Sequence, residues 1–413
     1  MFKKFICMAA CLIAAFTFAA CDGGSVKAYD LMRDINPVTV IGKASDEAFS
    51  GAAADFAVEL FKRTASDKNN SLISPVSVLL ALALAANGAD GATLAQMEAV
   101  IGGGMNINEI NEYLYSYVKS LPSGEKSFVN ISNSMWFRDN AFIPNPEFLQ
   151  TNANYYGASA YKSAFDSKTV KDINNWIKQE TDGLIDKVID KIPAETVLYL
   201  INTVLFDAEW RTVYEKHQVK DGVFTAVFDG KKKTTKFMWS GEYKFLEGDN
   251  VKGFLKPYNG GNYSFAALLP DEGVLINDYI ASLSGEKFMN ILKGWMPATV
   301  NAALPKFNYS YEFEMSGVLK AMGMADAFSP LNADFTKMGS LNGNLYLGSV
   351  LHKTVITVDE RGTKAGAVTV IDGKATSGPP QEIKNVILDR PFVYAIIDNA
   401  TMLPIFIGTV MSV

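Results

Sequence analysis

The chain has 413 residues, of which 48% are hydrophobic and 20% are charged, so it is long enough and apolar enough to bury a large core. Its 44 acidic and 38 basic residues give a net charge of −6. Since no surplus of basic residues is available to neutralise phosphates, we do not expect nucleic acid as a partner.

The start of the chain has the pattern of a secretory signal. Two lysines precede an apolar run over 5–18, which is too short for a stable membrane span. The run ends on small residues followed by Cys21, which resembles the lipobox of bacterial lipoproteins, although Phe18 stands where leucine is usual. We therefore expect a lipoprotein-type signal peptide over residues 1–20.

This pattern predicts how the mature chain is held. Cys21 would carry the lipid, residues 21–44 would form a tether, and the lipid anchor would be the only contact with a membrane. The protein would then lie in a bacterial cell envelope, either in the periplasm or at the cell surface. The alternative is a secreted protein without lipid, cleaved near Ala20.

The cysteines are confined to this segment. All three of them, Cys7, Cys11 and Cys21, lie within the signal or directly after it. The folded part therefore contains neither a thiol nor a disulfide. A protein of an oxidising compartment that lacks disulfides depends on a large hydrophobic core for its stability.

The first half of the folded part is predicted to be mainly helical. Residues 75–86 are apolar nearly all round, which is typical of a buried helix, and Pro75 suits its first turn. The turn over 87–91 ends this helix, and Thr93 can cap the next one. Helices are predicted over 52–61, 75–86, 94–101, 107–121, 146–156 and 170–180.

The second half is predicted to be rich in strands. The run over 197–206 is almost unbroken in apolar residues, which is typical of a strand buried on both faces. Strands are predicted over 128–137, 197–206, 235–238, 243–245, 263–269, 300–304, 345–347, 355–358, 392–397 and 403–410. Since no repeat, linker or low-complexity block divides residues 45–413, we expect them to form one large mixed domain.

The sequence offers little catalytic chemistry. The only histidines are His217 and His352, no G-x-S-x-G motif is present, and the position of the cysteines excludes a thiol nucleophile. Neither histidine lies in a zinc-binding pattern. Asp359 and Glu360 are interpreted as a solvated turn, and His352 as a hydrogen-bonded core histidine. We therefore expect no enzyme activity, no metal and no cofactor.

One stretch near the C-terminus is typical of both a strand and a loop. Every second residue is small at Thr363, Ala365, Ala367 and Thr369. Alternate residues of a strand share one face, so this face could press on a tight core. The residues that follow are rich in glycine, serine and proline, which is the composition of an exposed loop. The simpler alternative is a strand that runs into a long surface loop.

Many blocks of the mature chain resemble the serpin family, in the order in which that family has them. They are NSLISPVS over 70–77, GADGAT over 88–93, IN over 173–174 with TDGLI over 181–185, LINTVLFDAEW over 200–210, LLPDEG over 268–273, LPKF over 304–307, LKAMGM over 319–324 and VILDRPFVYAI over 386–396. Each block alone is weak evidence, but so many in the right order are specific. The chain is therefore identified as a member of the serpins.

The resemblance implies an α+β serpin fold with three β-sheets, about eight or nine helices and an exposed reactive centre loop. It also implies a metastable, extracellular and monomeric inhibitor, which is cut in that loop by serine proteases and also by papain-like cysteine proteases. The cut loop then enters sheet A as a new strand and traps the acyl-enzyme. The alternative within the family is a non-inhibitory serpin that acts as a binding protein.

Residues 360–368 resemble the hinge of the family. The hinge residues are Glu360, Gly362, Thr363, Ala365, Gly366 and Ala367. The segment departs from the usual pattern at Lys364, where an acid is frequent, and at Gly366, where alanine is frequent. Lys364 alternates with the small residues and would face solvent in the inserted strand, so we expect it to interfere little with insertion.

Two other groups resemble the region where sheet A opens. The polar cluster beneath the opening point is matched by Ser74, Ser77, Asn202 and His352. These residues would be satisfied buried hydrogen-bonding groups that act on function through the opening equilibrium. Trp210 and Lys306 match the region where the hinge first enters the sheet, and both are expected to be packing residues there.

The reactive bond is predicted from the hinge. Counting seventeen residues from Glu360, as the family does, makes Thr376 the residue before the cut and Ser377 the residue after it. Counting back from Pro391 instead places the bond about four residues later, near Pro380, where proline would make a poor substrate.

Neighbouring bonds are alternatives, because a long loop could present more than one of them. Thr376 and Ala375 suit elastase- or subtilisin-like proteases, which have small pockets. Lys374 suits trypsin-like proteases, because its side chain is a cation. The expected partners are therefore proteases of these three kinds.

Overall fold

The computed structural model describes residues 25–122, 124, 126–140, 142–226, 230–363 and 383–413, and these residues contain nine α-helices. The helices are α1 (Glu47–Thr64), α2 (Pro75–Ala86), α3 (Gly91–Gly102), α4 (Ile107–Ser120), α5 (Pro146–Tyr156), α6 (Ser167–Glu180), α7 (Ile276–Ser282), α8 (Gly285–Lys293) and α9 (Ser316–Met322). Short 3₁₀ turns lie at Lys216–Gln218, Asn259–Gly261 and Asp326–Phe328.

The same residues contain eighteen strands. They are β1 (Tyr29–Asp30), β2 (Ser71–Ile73), β3 (Ser127–Arg138), β4 (Ile143–Pro144), β5 (Ser159–Ser163), β6 (Leu198–Glu209), β7 (Val219–Thr225), β8 (Lys232–Gly248), β9 (Val251–Pro257), β10 (Tyr263–Pro270), β11 (Met296–Pro305), β12 (Phe307–Glu314), β13 (Gly339–Ser340), β14 (Ser349–Val358), β15 (Gly362–Thr363), β16 (Ile383–Ile387), β17 (Phe392–Asp398) and β18 (Pro404–Val410).

The described strands form three sheets. The first, called the main sheet below, has seven strands in the order β1-β5-β3-β6-β15-β14-β12. The second has nine strands, eight of them in the order β16-β11-β8-β9-β10-β17-β18-β2, with β7 paired to β8. The third is the pair β13-β4. This α+β fold with three sheets confirms the predicted fold class.

Helix α2 lies at the centre of the fold, as its composition predicts. All twelve of its residues are buried, and it contacts strands of both large sheets, β3 and β6 in the main sheet and β18 in the second. Its observed bounds are those predicted from the sequence, because Pro75 favours a first helical turn and Asn87 ends the helix. None of the helices in the described part of the chain is long and apolar enough to span a membrane.

Several predicted elements are longer in the structure, as with the helix predicted over 52–61 and found at Glu47–Thr64, and three local predictions differ in more than their bounds. Helix α3 begins at Gly91 with Asp90 as its cap, while Thr93 lies buried inside the helix and its hydroxyl accepts a hydrogen bond from the Asp334 amide at 2.9 Å. Residues 235–238 and 243–245 belong to one strand, β8, because pairing to β7, β11 and β9 continues through Gly241. Residues 345–347 form no strand, although two of their side chains are buried.

The segment over 25–44 differs from the expected tether, because it packs along the body of the protein. Its strand β1 pairs antiparallel with β5, and the amide of Leu31 donates to the carbonyl of Ala160 at 2.8 Å. The side chain of Leu31 is buried in the core. Strand β5 would otherwise be an open edge of the main sheet, and β1 pairs with the hydrogen-bonding groups of that edge. Sequence composition alone does not reveal that such an edge is available. The predicted signal over 1–20 and lipidated Cys21 lie outside the described residues.

Candidate functional site at the seam of the main sheet

Strands β6 and β14 form a seam that is closed in two different ways. At its lower end the two strands pair directly and in parallel, from Tyr199 with Ser349 to Asn202 with His352. At its upper end β15 lies between them and pairs antiparallel with both, so that Thr363 faces both Ala208 and Val358. The ladders of the described strands contain no pairing of residues 203–207 to β14. Hinge residues 362 and 363 therefore already lie in the main sheet.

A tight turn leads from β14 into β15. The carboxylate of Asp359 accepts hydrogen bonds from the amides of Arg361 at 2.8 Å and Gly362 at 3.3 Å, which fixes the turn. A Cβ atom on Gly362 would lie 2.0 Å from the carbonyl oxygen of Ala208. Only glycine allows the two backbones to approach so closely at this position.

Thr363 points into the core. Its side chain is 2% exposed, and its hydroxyl shares a hydrogen bond of 2.6 Å with the hydroxyl of Tyr258. The ring of Tyr258 is stacked on Trp210 at a centroid distance of 4.5 Å. Burial raises the pKa of Tyr258, so this hydroxyl stays neutral. Thr363 therefore lies on the buried face that its parity predicts.

Trp210 and Tyr214 hold the carbonyl groups of the turn. The Trp210 amide donates to the Arg361 carbonyl at 2.7 Å, and its indole nitrogen donates to the Asp359 carbonyl at 2.9 Å. The Tyr214 amide donates to the Glu360 carbonyl at 3.0 Å. Trp210 thus binds the hinge through hydrogen bonds as well as through packing, which the sequence did not predict.

Lys306 and Glu360 form an ion pair at the outer side of the hinge. Burial by itself would raise the pKa of Glu360, but the hydrogen bond from Lys306, a backbone hydrogen bond and the positive charges of Lys306 and Arg361 together outweigh it and hold that pKa below the usual value. The Glu360 side chain is 35% exposed, so solvent weakens the pair. The predicted hinge residue Glu360 and the predicted opening residue Lys306 are in direct contact.

The lower end of the seam is closed by a buried polar cluster. The Ser77 hydroxyl donates to the Asn202 side-chain oxygen, and the Asn202 amide group donates to the Ser77 carbonyl at 2.8 Å. The same amide group donates to the side-chain oxygen of Asn133 at 2.5 Å. His352 lies 3.3 Å from the Asn202 oxygen through Nδ1 and accepts from the Ser74 amide through Nε2 at 3.0 Å.

These contacts fix the state of His352. Because Nε2 accepts the Ser74 amide, the ring proton belongs on Nδ1, where it faces the Asn202 oxygen. Burial lowers the pKa of His352 to about 3, so the ring is neutral. The cluster therefore joins α2, β6 and β14 by neutral hydrogen bonds that have to break before β6 and β14 can separate.

The structure assembles most of the predicted residues, with one difference in detail. Ser74 joins the cluster through its backbone amide, whereas its hydroxyl is buried without a partner among the described residues. Sequence reasoning missed Asn133, Tyr258 and Tyr214, because their contacts depend on the register and packing of strands far apart in the chain. The described residues contain no group of three or more potential metal ligands.

Several predicted residues cannot be placed. The inner hinge residues Ala365, Gly366 and Ala367, and the candidate residues of the reactive bond Lys374, Ala375, Thr376 and Ser377, lie outside the described residues. Their assignment stays a prediction from the sequence.

The seam and the sheet order define a class of protein whose main sheet takes a short strand from near the C-terminus, β15, between two of its other strands. The sequence profile of the family described as Serpin (serine protease inhibitor) matches residues 51–413. The chain belongs to the serpin family, whose members are in general protease inhibitors.

Individual relatives agree with this assignment. The crystal structure of a thermophilic serpin, tengpin, in its native state is 53% identical, covers 94% of this chain and 100% of its own, and superposes with a TM-score of 0.90. Its latent state gives a TM-score of 0.81 at 49% identity over 90% of this chain and 100% of its own. The leukocyte elastase inhibitor of Xenopus tropicalis is 28% identical over 389 residues, which is 89% of this chain and 100% of the relative.

Proposed function

We propose that this serpin inhibits serine proteases, and papain-like cysteine proteases by the same route, as a suicide substrate. The protease nucleophile attacks the carbonyl carbon of Thr376, the bond to Ser377 breaks, and Ser377 leaves with a new amino group. The protease stays bound to Thr376 as an acyl-enzyme. The cut segment then inserts between β6 and β14, and the trapped protease cannot complete hydrolysis. Target proteases are thus the partners, and the inhibitor acts as a monomer.

The position of β15 carries this proposal. Gly362 and Thr363 are paired with Glu209 and Ala208 of β6, antiparallel, at the upper end of the seam. A strand that continued in this register would place residue 368 opposite residue 203. The next residue would face Asn202, which is paired directly with His352. Five residues could therefore enter before the polar cluster opens, and all further insertion would require it to open.

Insertion would release enough free energy to disrupt a protease. Roughly a dozen new ladder hydrogen bonds at about 1 kcal/mol each give on the order of 10 kcal/mol. This is comparable to the whole stability of a typical domain, about 5 to 15 kcal/mol. The burial of Thr363 supports insertion with the small side chains towards the core, because Thr363 is the first of the alternating small residues and already faces the core.

A gel experiment tests the function. The purified protein would be mixed with elastase, subtilisin and trypsin in turn and run on a denaturing gel. A suicide inhibitor gives a covalent band that survives SDS, and mass spectrometry of the cleaved inhibitor identifies the bond used, with Thr376–Ser377 expected first and Lys374 or Ala375 as alternatives. Cleavage without such a band for all three proteases would contradict inhibition of these classes and favour a non-inhibitory serpin that acts as a binding protein.

We also propose that Cys21 is lipidated and anchors the protein in a bacterial cell envelope. The support is the signal pattern of the sequence, with the apolar run that ends at this cysteine. Cys21→Ala should move the protein from the detergent phase to the aqueous phase when cells are extracted with a phase-separating detergent. Cys11→Ala, inside the signal, is the control and should leave the partition unchanged. Equal partition of the two variants would contradict the anchor.

A further inference from the structure

A second ion pair lies beneath the hinge, and it is buried. The ammonium group of Lys256 on β9 lies 2.9 Å from the carboxylate of Glu242 on β8, and Lys256 is only 2% exposed. The neighbouring residues of β9, Phe254 and Leu255, are buried apolar side chains. A buried ion pair is costly to desolvate, and apolar residues of similar size frequently give equal or better stability. Stability alone therefore does not explain why this ion pair is present.

The Lys256 ammonium also lies against the rings of Trp210 and Tyr214, the two aromatic residues whose amides bind the hinge turn. It is 4.2 Å from the ring centroid of Tyr214 and 5.4 Å from that of Trp210. A cation that faces aromatic rings is attracted by their negative faces, most strongly where water is excluded. The Tyr214 hydroxyl is further linked to Glu242 through Ser240, with distances of 3.3 Å and 2.7 Å.

The same two aromatic residues bind the turn at the start of β15. Their amides donate to the carbonyls of Glu360 and Arg361, and the Trp210 indole donates to the carbonyl of Asp359. A continuous set of contacts therefore leads from the buried ion pair, through the rings, to all three residues of the turn. The surface pair of Lys306 and Glu360 holds the same turn from the outside.

We propose that the Lys256–Glu242 pair is a positioning device that fixes the orientation of Trp210 and Tyr214 and so holds the hinge turn as the fixed point about which the loop inserts. This role rests on the proposed function, because a fixed hinge matters only if the loop inserts. When the hinge is held, insertion starts in register at once, and the acyl-enzyme is trapped before water hydrolyses it. When it is loose, insertion slows and the protease releases cut inhibitor.

The test removes both charges while keeping the side-chain shapes. The double variant Lys256→Met with Glu242→Gln leaves no unpaired buried charge, so its urea midpoint of unfolding should stay near that of the wild type. Hydrogen exchange of the amides over 359–363 in the uncut protein should become roughly tenfold faster. In the inhibition assay, the number of inhibitor molecules consumed per protease inhibited should rise several-fold.

A second lysine–glutamate pair beside a tyrosine ring serves as the control. Lys43 is ion-paired with Glu109 and lies 4.4 Å from the ring centroid of Tyr113, both of them on α4, which is not part of the seam; the Lys43 side chain is 42% exposed. Lys43→Met with Glu109→Gln should change neither hinge exchange nor inhibition. If the Lys256–Glu242 variant does not fold, Tyr214→Leu removes the ring that faces Lys256, while both charges stay paired and the backbone amide of residue 214 can still bind the Glu360 carbonyl. Faster exchange over 359–363 is then expected as well.

The readouts separate two failures. If the amides over 359–363 exchange hydrogen in the Lys256–Glu242 variant at the wild-type rate, the positioning role is overturned. It is also overturned if the Lys43–Glu109 control raises their exchange rate by the same factor. Absence of any covalent complex with the wild-type protein would overturn the proposed function. In that case hydrogen exchange of the uncut protein alone decides whether the pair holds the hinge.

Discussion

The two ends of the seam between β6 and β14 are closed by different chemistry. At the upper end the hinge strand β15 separates the two strands, and the turn before it is held by aromatic residues and by two ion pairs. At the lower end the strands pair directly over a neutral, buried cluster centred on Asn202 and His352. At the upper end a strand is already inserted between β6 and β14, whereas at the lower end hydrogen bonds hold β6 and β14 together.

This difference indicates how insertion would be controlled. The upper end fixes where a strand starts and in which register, since Gly362 tolerates no Cβ against Ala208. The lower end sets the cost of going further, because a group of buried hydrogen bonds must be broken together. Changes at the upper end should therefore alter the outcome with a protease, and changes at the lower end should alter the stability of the uncut protein.

The largest effect is expected from Thr363→Arg at the upper end. Thr363 is buried against Tyr258, so the guanidinium group would be forced into the core whenever β15 is in the sheet. We expect cleavage without covalent complex, with inhibition reduced at least about 100-fold. The measurement is the yield of SDS-stable complex with a protease that the wild type inhibits.

Thr357→Arg is the control for this change, because Thr357 lies half-buried on the adjoining strand β14 with outward parity. It should retain most of the complex. Full inhibition by Thr363→Arg would contradict the inward direction of this face during insertion.

A smaller effect is expected from Asn202→Ala at the lower end. The change leaves the Ser77 hydroxyl, the Asn133 oxygen and the His352 Nδ1 proton without their buried partner. We expect the free energy of unfolding to fall by about 3 kcal/mol. Urea unfolding measures this fall, and incubation of the uncut protein above room temperature should show a faster loss of inhibitory activity. Asn301→Ala, which removes an exposed hydrogen bond to Asn385, is the control and should cost far less.

His352 predicts a pH dependence of stability. The native ring stays neutral down to about pH 3, whereas the unfolded chain takes up a proton below about 6.5. Unfolding therefore binds a proton in this window, and the native state loses stability as the pH falls. Between pH 7 and pH 5 the loss from this group should be about 2 kcal/mol. The measurement is the free energy of unfolding in urea at both pH values.

The control for this pH effect uses the other histidine. His352→Gln should lower stability at pH 7 but should also flatten the dependence between pH 7 and pH 5. His217→Gln, at a largely exposed position, should leave the dependence as it is in the wild type. An unchanged slope in His352→Gln would mean that other groups cause the pH effect.

The sequence predicted the members of the seam better than their contacts. Ser77, Asn202, His352, Lys306 and Glu360 were recognised because they lie in short blocks that resemble a family. Their partners Asn133 and Tyr258 were not, because a strand pattern does not reveal which residue faces it across a sheet. Alternation did predict that Thr363 is buried, since parity is a local property of a strand.

The N-terminal segment and the buried charges could not be predicted for a physical reason. Residues 25–44 were predicted to be a tether because they follow the predicted lipidated Cys21, but the edge of β5 offers hydrogen bonds that no local pattern contains. Lys256 lies in a strand without clear periodicity, and a lone lysine usually indicates a solvent-exposed position. Only the three-dimensional arrangement places Glu242 and the rings of Trp210 and Tyr214 around it.

The smallest effect is expected from the surface pair of Lys306 and Glu360. Both side chains are about one-third exposed, so a double-mutant cycle with Lys306→Met and Glu360→Gln should give a coupling of at most about 1 kcal/mol, which decreases at high salt. Because the native pKa of Glu360 is lowered, this coupling is present near neutral pH and is lost as the pH falls through the acidic range. The pair of Lys236 on β8 and Asp221 on β7, which is more exposed, gives a surface reference. The coupling energy of the Lys306–Glu360 pair could instead be well above this reference and persist at high salt. That result would mean that this outer pair, and not the buried Lys256–Glu242 pair, contributes most to fixing the hinge turn.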